Sequence, residues 1–209
     1  MQQYGSKDYW DKRYKSDPEP FEWYQKYATL KPLLWKILSG YKNPKILILG
    51  CGNSRLSEEL YNEGYKHITN IDFSEVCINQ MQERYSDYEG MQYLCMDICK
   101  MDFENERFDV VLDKGTFDSV LCGEGATEAI HKALKEVSRV LKSNGVFICV
   151  SYGVPEYRLP YFENSEIRWT IDIQKIKKPT MEEAGANLIK QDDLEELYHH
   201  VYIGKTSNN

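Results

Sequence analysis

The sequence predicts an α/β fold: a mostly parallel sheet with helices on both faces and a late antiparallel strand. Three observations predict it. Short apolar, largely β-branched runs alternate with amphipathic helical stretches up to about residue 151. The first such run, Ile46 to Leu49, passes directly into Gly50-Cys51-Gly52, a turn that reverses the backbone sharply before a helix begins near Ser54. Beyond Pro155 the alternation lapses and strand-like segments close the chain.

Taken in order, Tyr9 to Tyr14 reads as a helix in which Trp10, Arg13 and Tyr14 share a face at i, i+3, i+4 spacing. A turn at Asp17-Pro18-Glu19-Pro20 leads to Phe21-Glu22-Trp23-Tyr24. Two readings of this aromatic segment stay open: a face packed on the core, or a cover over a ligand. Pro32 opens a helix from Leu30 to Leu38, and Gly40 to Pro44 leads into the first strand. Leu56, Leu60 and Tyr61 mark the stripe of the helix after the glycine turn, which stops at Gly64. His67 to Asp72 is a second strand; Ser74 caps the helix after it, whose inner face carries Ile78, Met81 and Tyr85. Met91 to Cys95 is the third strand and Phe108 to Leu112 the fourth. A helix marked by Ile130, Leu134, Val137 and Leu141 precedes the fifth, Val146 to Val150. Alternation of this kind implies right-handed crossovers and a ligand crevice at the C-terminal ends of the strands. Glu166 to Ile173 alternates as a strand, Lys177 to Glu196 reads as a loop or excursion, and Tyr198 to Ile203 as the last strand before a disordered tail.

Composition narrows the function. The chain has 209 residues, enough for one domain with a substantial core, and is rich in aromatics, with 16 Tyr and 4 Trp suited to core and pocket walls. A formal charge of -7 argues against nucleic acid, since binding phosphates usually requires a basic face. No run is long enough for a membrane span and the N-terminus lacks the order of a signal peptide, so a cytoplasmic location is expected. The six cysteines show no C-x-x-C pairing and read as reduced thiols, with no metal site expected. Oligomeric state is not encoded in any pattern of this kind.

Asp72 follows Gly50 by 22 residues at the end of the second strand, where a carboxylate accepts hydrogen bonds from ribose hydroxyls. NAD and S-adenosylmethionine both offer such a ribose. Three features favour the second. Arg55 stands where a third glycine would permit close helix approach to a pyrophosphate. Asp97 ends the third strand, within reach of an adenine amino group, and the sheet closes on a late strand pair in place of a second mononucleotide-binding half.

These segments, with Tyr-Trp-Asp-Lys-Arg-Tyr at 9–14, Glu-Trp-Tyr at 22–24, Leu-Gly-Cys-Gly-Asn-Ser at 49–54, Asp72-Phe73-Ser74, Met96-Asp97-Ile98 and Phe-Asp-Val-Val-Leu-Asp-Lys-Gly-Thr-Phe-Asp at 108–118, resemble a family. It is the class I, Rossmann-like seven-stranded S-adenosylmethionine-dependent methyltransferases, and within it the enzymes that modify lysines of elongation factor 1A and citrate synthase. The resemblance implies that Gly50 and Gly52 pass close to the methionine part of the cofactor, that Asp72 holds the ribose with Phe73 beside the adenine, and that Asp97 and Ile98 read the adenine edge. It implies a lid formed by Trp10, Tyr14 and Trp23, and a backbone contact from Lys114. Arg13 either meets the methionine carboxylate or pairs with a neighbouring acid. Asp113 is either the cap of the next helix or a group that orients the acceptor amine; Asp118 reads as structural. One methyltransferase domain, 1–209, is implied, with the lid and a helix in 1–40, the cofactor core in 44–151 and a substrate-side elaboration in 152–205.

Methyl transfer from a sulfonium needs alignment and water exclusion, with no metal or covalent intermediate. A lysine acceptor must first be neutral, and bringing its pKa from about 10.4 to 7 corresponds to roughly 4 to 5 kcal/mol. The expected partner is a protein bearing such a lysine; the alternatives are a small-molecule acceptor and a non-catalytic cofactor-binding role.

Overall fold

The computed structural model describes residues 4–163, 167, 169–179 and 197–206. Two helices, α1 (Lys7–Ser16) and α2 (Tyr27–Leu38), precede the first strand. Then come β1 (Ile46–Leu49), α3 (Leu56–Asn62), β2 (Ile68–Asp72), α4 (Glu75–Arg84), β3 (Met91–Cys95), β4 (Phe108–Lys114), α5 (Thr116–Val120), α6 (Ala126–Val140) and β5 (Leu141–Ser151). The chain ends with α7 (Pro155–Phe162), β6 (Trp169–Lys177) and β7 (Tyr198–Thr206).

Seven strands form one sheet in the order β3-β2-β1-β4-β5-β7-β6. The first five run parallel, and β7 inserts antiparallel between β5 and β6. This is the Rossmann-like, seven-stranded arrangement that the resemblance implies. Strand order reverses at β1, which lies between β2 and β4, so the crevice opens where β1 ends in the glycine turn.

The alternation of β1 explains the two layers. Ile46 and Ile48 join a cluster with Leu30, Leu34, Leu60 and Met81, on the face covered by α1 to α4. Leu47 and Leu49 point the other way, into a cluster with Phe117, Leu134, Val137 and Phe162 from α5 to α7. All four strand residues are at most 4% exposed, as a strand sandwiched between helices requires.

Several boundaries differ from the sequence reading. Helix α2 starts at Tyr27, so Pro32 lies inside it and does not open it. The first turn is closed on Lys26, whose carbonyl accepts from the N–H groups of Thr29 at 3.2 Å and Leu30 at 3.3 Å. The sixth strand runs on to Lys177, because its whole length pairs with β7. An extra helix, α7, begins at Pro155, a residue suited to the first turn. The proposed excursion lies outside the described residues from 180 to 196, as does the tail from 207. No helix among the described residues is long and apolar enough to cross a membrane.

Candidate active site

The glycine turn is built to bring backbone close to a ligand. Gly50 and Gly52 both take left-handed conformations, φ 49° and 51°. A side chain at Gly50 would collide with Thr116, and a Cβ on Gly52 would lie 2.8 Å from Tyr14 Oη. Asp72, 5% exposed, accepts from the Gly52 N–H at 3.0 Å with Oδ2 and from the Ser74 N–H at 2.9 Å with Oδ1. Burial pushes its carboxyl up to about 6 against the pull of those two N–H groups. Ser74 also fulfils its expected role as cap, its hydroxyl accepting from the Cys77 N–H at 3.2 Å.

A cavity of about 510 Å³ opens over this turn. Its walls include Gly50, Gly52, Asp72, Phe73, Asp97 and Ile98, all residues selected from the sequence. Asp97 is exposed at the rim, where Oδ1 accepts from the Cys99 N–H at 2.8 Å, and Ile98 is buried behind it.

The N-terminal aromatics Trp10, Tyr14 and Trp23 pack in or against the core and also line the same cavity. Trp10 and Tyr14 are buried at 7% and 5% exposure, stacked 5.7 Å apart, and belong to the core while facing the crevice. Trp10 Nε1 donates to the Tyr4 carbonyl at 2.6 Å, and Trp23 meets Trp10 edge-on at 6.1 Å. Arg13 is a different matter. Its guanidinium lies over Phe21 at 5.0 Å and Trp23 at 5.8 Å, and it is not among the cavity-lining residues. Both of those rings line the cavity, so Arg13 packs against its aromatic wall.

A second carboxylate, Glu22, reaches the end of the turn at Ser54 and Arg55 and was not singled out from the sequence. It accepts from Ser54 Oγ at 2.8 Å and from the Arg55 N–H at 2.6 Å, and pairs with Lys114 Nζ at 3.0 Å. Lys114, whose side chain is 6% exposed, also donates to the Trp23 carbonyl at 3.0 Å. Its side chain thus ties the aromatic segment to the end of β4.

Asp113 is fully buried and does not line the cavity. Its Oδ1 accepts from the N–H groups of Thr116 at 3.0 Å and Phe117 at 3.3 Å, and Oδ2 faces the Cys149 thiol at 3.1 Å. The geometry realises the helix-capping alternative, not the one beside an acceptor. Burial pushes its carboxyl up to about 7, opposed by the Cys149 thiol and reinforced by the nearby charge of Asp118.

Asp118, unlike Asp113, lines the cavity. Its Oδ1 accepts from Ser151 Oγ at 2.6 Å and from Arg158 Nε and Nη2 at 3.0 and 2.8 Å; Oδ2 accepts from the Tyr152 N–H at 2.8 Å and Tyr24 Oη at 2.9 Å. The signal for this hub was weak in the sequence, because its donors lie 33 to 94 residues away.

A left-handed glycine turn, a buried acid ending β2 and an aromatic cover over a deep cavity define a nucleoside-binding α/β protein, and the set fits a sulfonium nucleoside. Residues 47–149 match the methyltransferase domain. The chain is 38% identical over 179 residues to EEF1A lysine methyltransferase 4 of Mus musculus, covering 81% of this chain and 69% of that protein. It is 44% identical over 153 residues to the eEF1A lysine and N-terminal methyltransferase of Bos taurus, covering 71% of this chain but only 22% of that much longer protein. A SAM-dependent methyltransferase structure from Methanosarcina mazei superposes with a TM-score of 0.62 at 17% identity, over 85% of this chain and 98% of that one. This chain belongs to the class I S-adenosylmethionine-dependent methyltransferases, and S-adenosylmethionine is its cofactor.

Proposed function

We propose that the chain is a protein-lysine N-methyltransferase, acting as one domain, with an elongation factor of the 1A type as the candidate substrate. The names and identities of the relatives support the acceptor class. The observation that carries the reading is the single cavity running from the Gly50-to-Gly52 turn to the mouth formed by Tyr24, Asp118, Tyr152 and Arg158. Donor and acceptor can then meet in one water-poor space.

The bound cofactor supplies a methyl group already activated by its sulfonium. The chain's own residues do the rest. Gly50 and Gly52 admit the amino-acid portion against backbone, Asp72 holds ribose hydroxyls on its remaining lone pairs, and Phe73, Asp97 and Ile98 enclose the base. Trp10, Tyr14 and Trp23 exclude water, and the Lys114–Glu22 pair holds that cover down. A lysine amine entering between aromatic walls beside a sulfonium loses its extra proton to solvent before transfer, because burial and a neighbouring positive charge both disfavour the ammonium. The neutral amine would then present its lone pair to the methyl group that the bound cofactor would supply.

Incubation of the chain with radiolabelled S-adenosylmethionine and a cell lysate is expected to place label on a lysine of a protein band, identified by mass spectrometry. Label confined to small molecules would reject the protein acceptor, and tight S-adenosylmethionine binding without any turnover would point to a non-catalytic role.

A further inference from the structure

Tyr24 is held in an unusual way. It has a positive φ of 62°, a conformation that costs a non-glycine residue on the order of 1 to 3 kcal/mol and persists only where its surroundings enforce it. The enforcement is visible. Its ring lies so close over Gly115 that a Cβ there would come within 3.0 Å of Tyr24 Cε2, and His199 packs on it with ring centroids 4.8 Å apart. Its hydroxyl donates to Asp118 Oδ2 at 2.9 Å.

That last bond decides what the hydroxyl offers. A phenol has one proton and two lone pairs, whereas an ionised carboxylate only accepts. Asp118 is fixed by Ser151, Arg158 and the Tyr152 N–H, so it holds the phenolic proton in one direction and leaves the oxygen to the cavity as an acceptor. Burial and the Asp118 charge push the phenol's pKa well above its usual range, so the proton stays on Tyr24 and the group does not serve as a base.

We propose that Tyr24 Oη accepts a hydrogen bond from the acceptor amine and so orients it for transfer, with Asp118 as the positioning residue that sets the phenol's direction. The inference rests on the amine-acceptor reading above. A neutral amine has two N–H bonds and one lone pair; engaging an N–H on Tyr24 fixes where the lone pair points. No proton passes to Tyr24 during transfer, and the methylated ammonium that forms releases its proton to water.

The test uses an S-adenosylhomocysteine analogue whose sulfur is replaced by nitrogen bearing an aminoalkyl arm, compared with the same analogue ending in methyl. The full chain is expected to bind the amine form roughly 3- to 10-fold more tightly, the range of a hydrogen bond between neutral groups. Tyr24→Phe, which keeps the ring, is expected to lose that preference while binding S-adenosylhomocysteine within about threefold, as expected of a ring whose packing is retained. Asp118→Asn, which keeps the phenol but loosens its proton, is expected to lose part of it. Equal binding of the two analogues by the unaltered chain, or a preference undiminished in Tyr24→Phe, would overturn the proposal. A clear amine preference together with no labelled lysine in the lysate would reject the protein acceptor and leave Tyr24's role standing.

Discussion

The two ends of the cavity are made by different means. At the proposed cofactor end, the walls are backbone and acids that terminate strands: Gly50, Gly52, Asp72 and Asp97 lie at the ends of β1, β2 and β3. At the proposed acceptor end, they are a long-range side-chain network, with Tyr24, Ser151, Tyr152 and Arg158 gathered on Asp118. Geometry fixed by backbone resists drift, since it follows from the fold itself. Geometry fixed by side chains changes one residue at a time, which suits the end of the site that selects an acceptor.

The comparison can be broken most sharply at Gly52. Gly52→Val places a branched side chain at φ 51° against Tyr14 Oη and is expected to weaken S-adenosylhomocysteine binding on the order of 100-fold, from strain and displacement of about 2 to 3 kcal/mol. Calorimetry showing unchanged affinity would refute the backbone cradle. Asp118→Ala comes next. It strips Arg158 and Tyr24 of a shared buried partner, and denaturant unfolding is expected to show a loss of about 3 kcal/mol. Methyl transfer should fall much further than cofactor affinity; parallel losses in both would erase the distinction between the two ends.

The smallest effect concerns Asp113. Its folded-state pKa, about 7, lies above the unfolded value of about 3.9, so the folded state binds a proton that the unfolded state has released over the window between them. The resulting stabilisation is complete below pH 4 and is lost as pH rises through 7. Asp113→Asn can still accept from Thr116 and Phe117, and lacks this titration. The stability difference, wild type minus variant, is therefore expected to shrink between pH 4 and 7; a flat difference would contradict a buried capping role.

The same contrast explains what could be read in advance. The alternation of strands and helices, the glycine turn, the acid ending β2 and the Ser74 cap were legible because each rests on neighbours within a few positions, where periodicity and turn chemistry speak directly; the seven-stranded sheet came only with the resemblance. The aromatic segment was legible as a face, but its double service as core and cavity wall was not, since spacing reports which side a residue takes and not what it meets there. Arg13 shows the limit: i, i+3, i+4 spacing grouped it with Trp10 and Tyr14, yet it packs over Phe21 and Trp23 and is not itself among the lining residues. Glu22 and the Asp118 hub escaped because their partners come from distant parts of the chain, 32 or more residues away.

Gln25, just after the aromatic segment, is completely buried; its Nε2 donates to the Lys177 carbonyl at 2.8 Å and lies 3.0 Å from His199 Nδ1. Residue 25 emerges from the ribosome long before residues 177 and 199 exist. The Lys114–Glu22 anchor of the aromatic segment can therefore form before its second anchor, which waits until β6 and β7 have been made and paired.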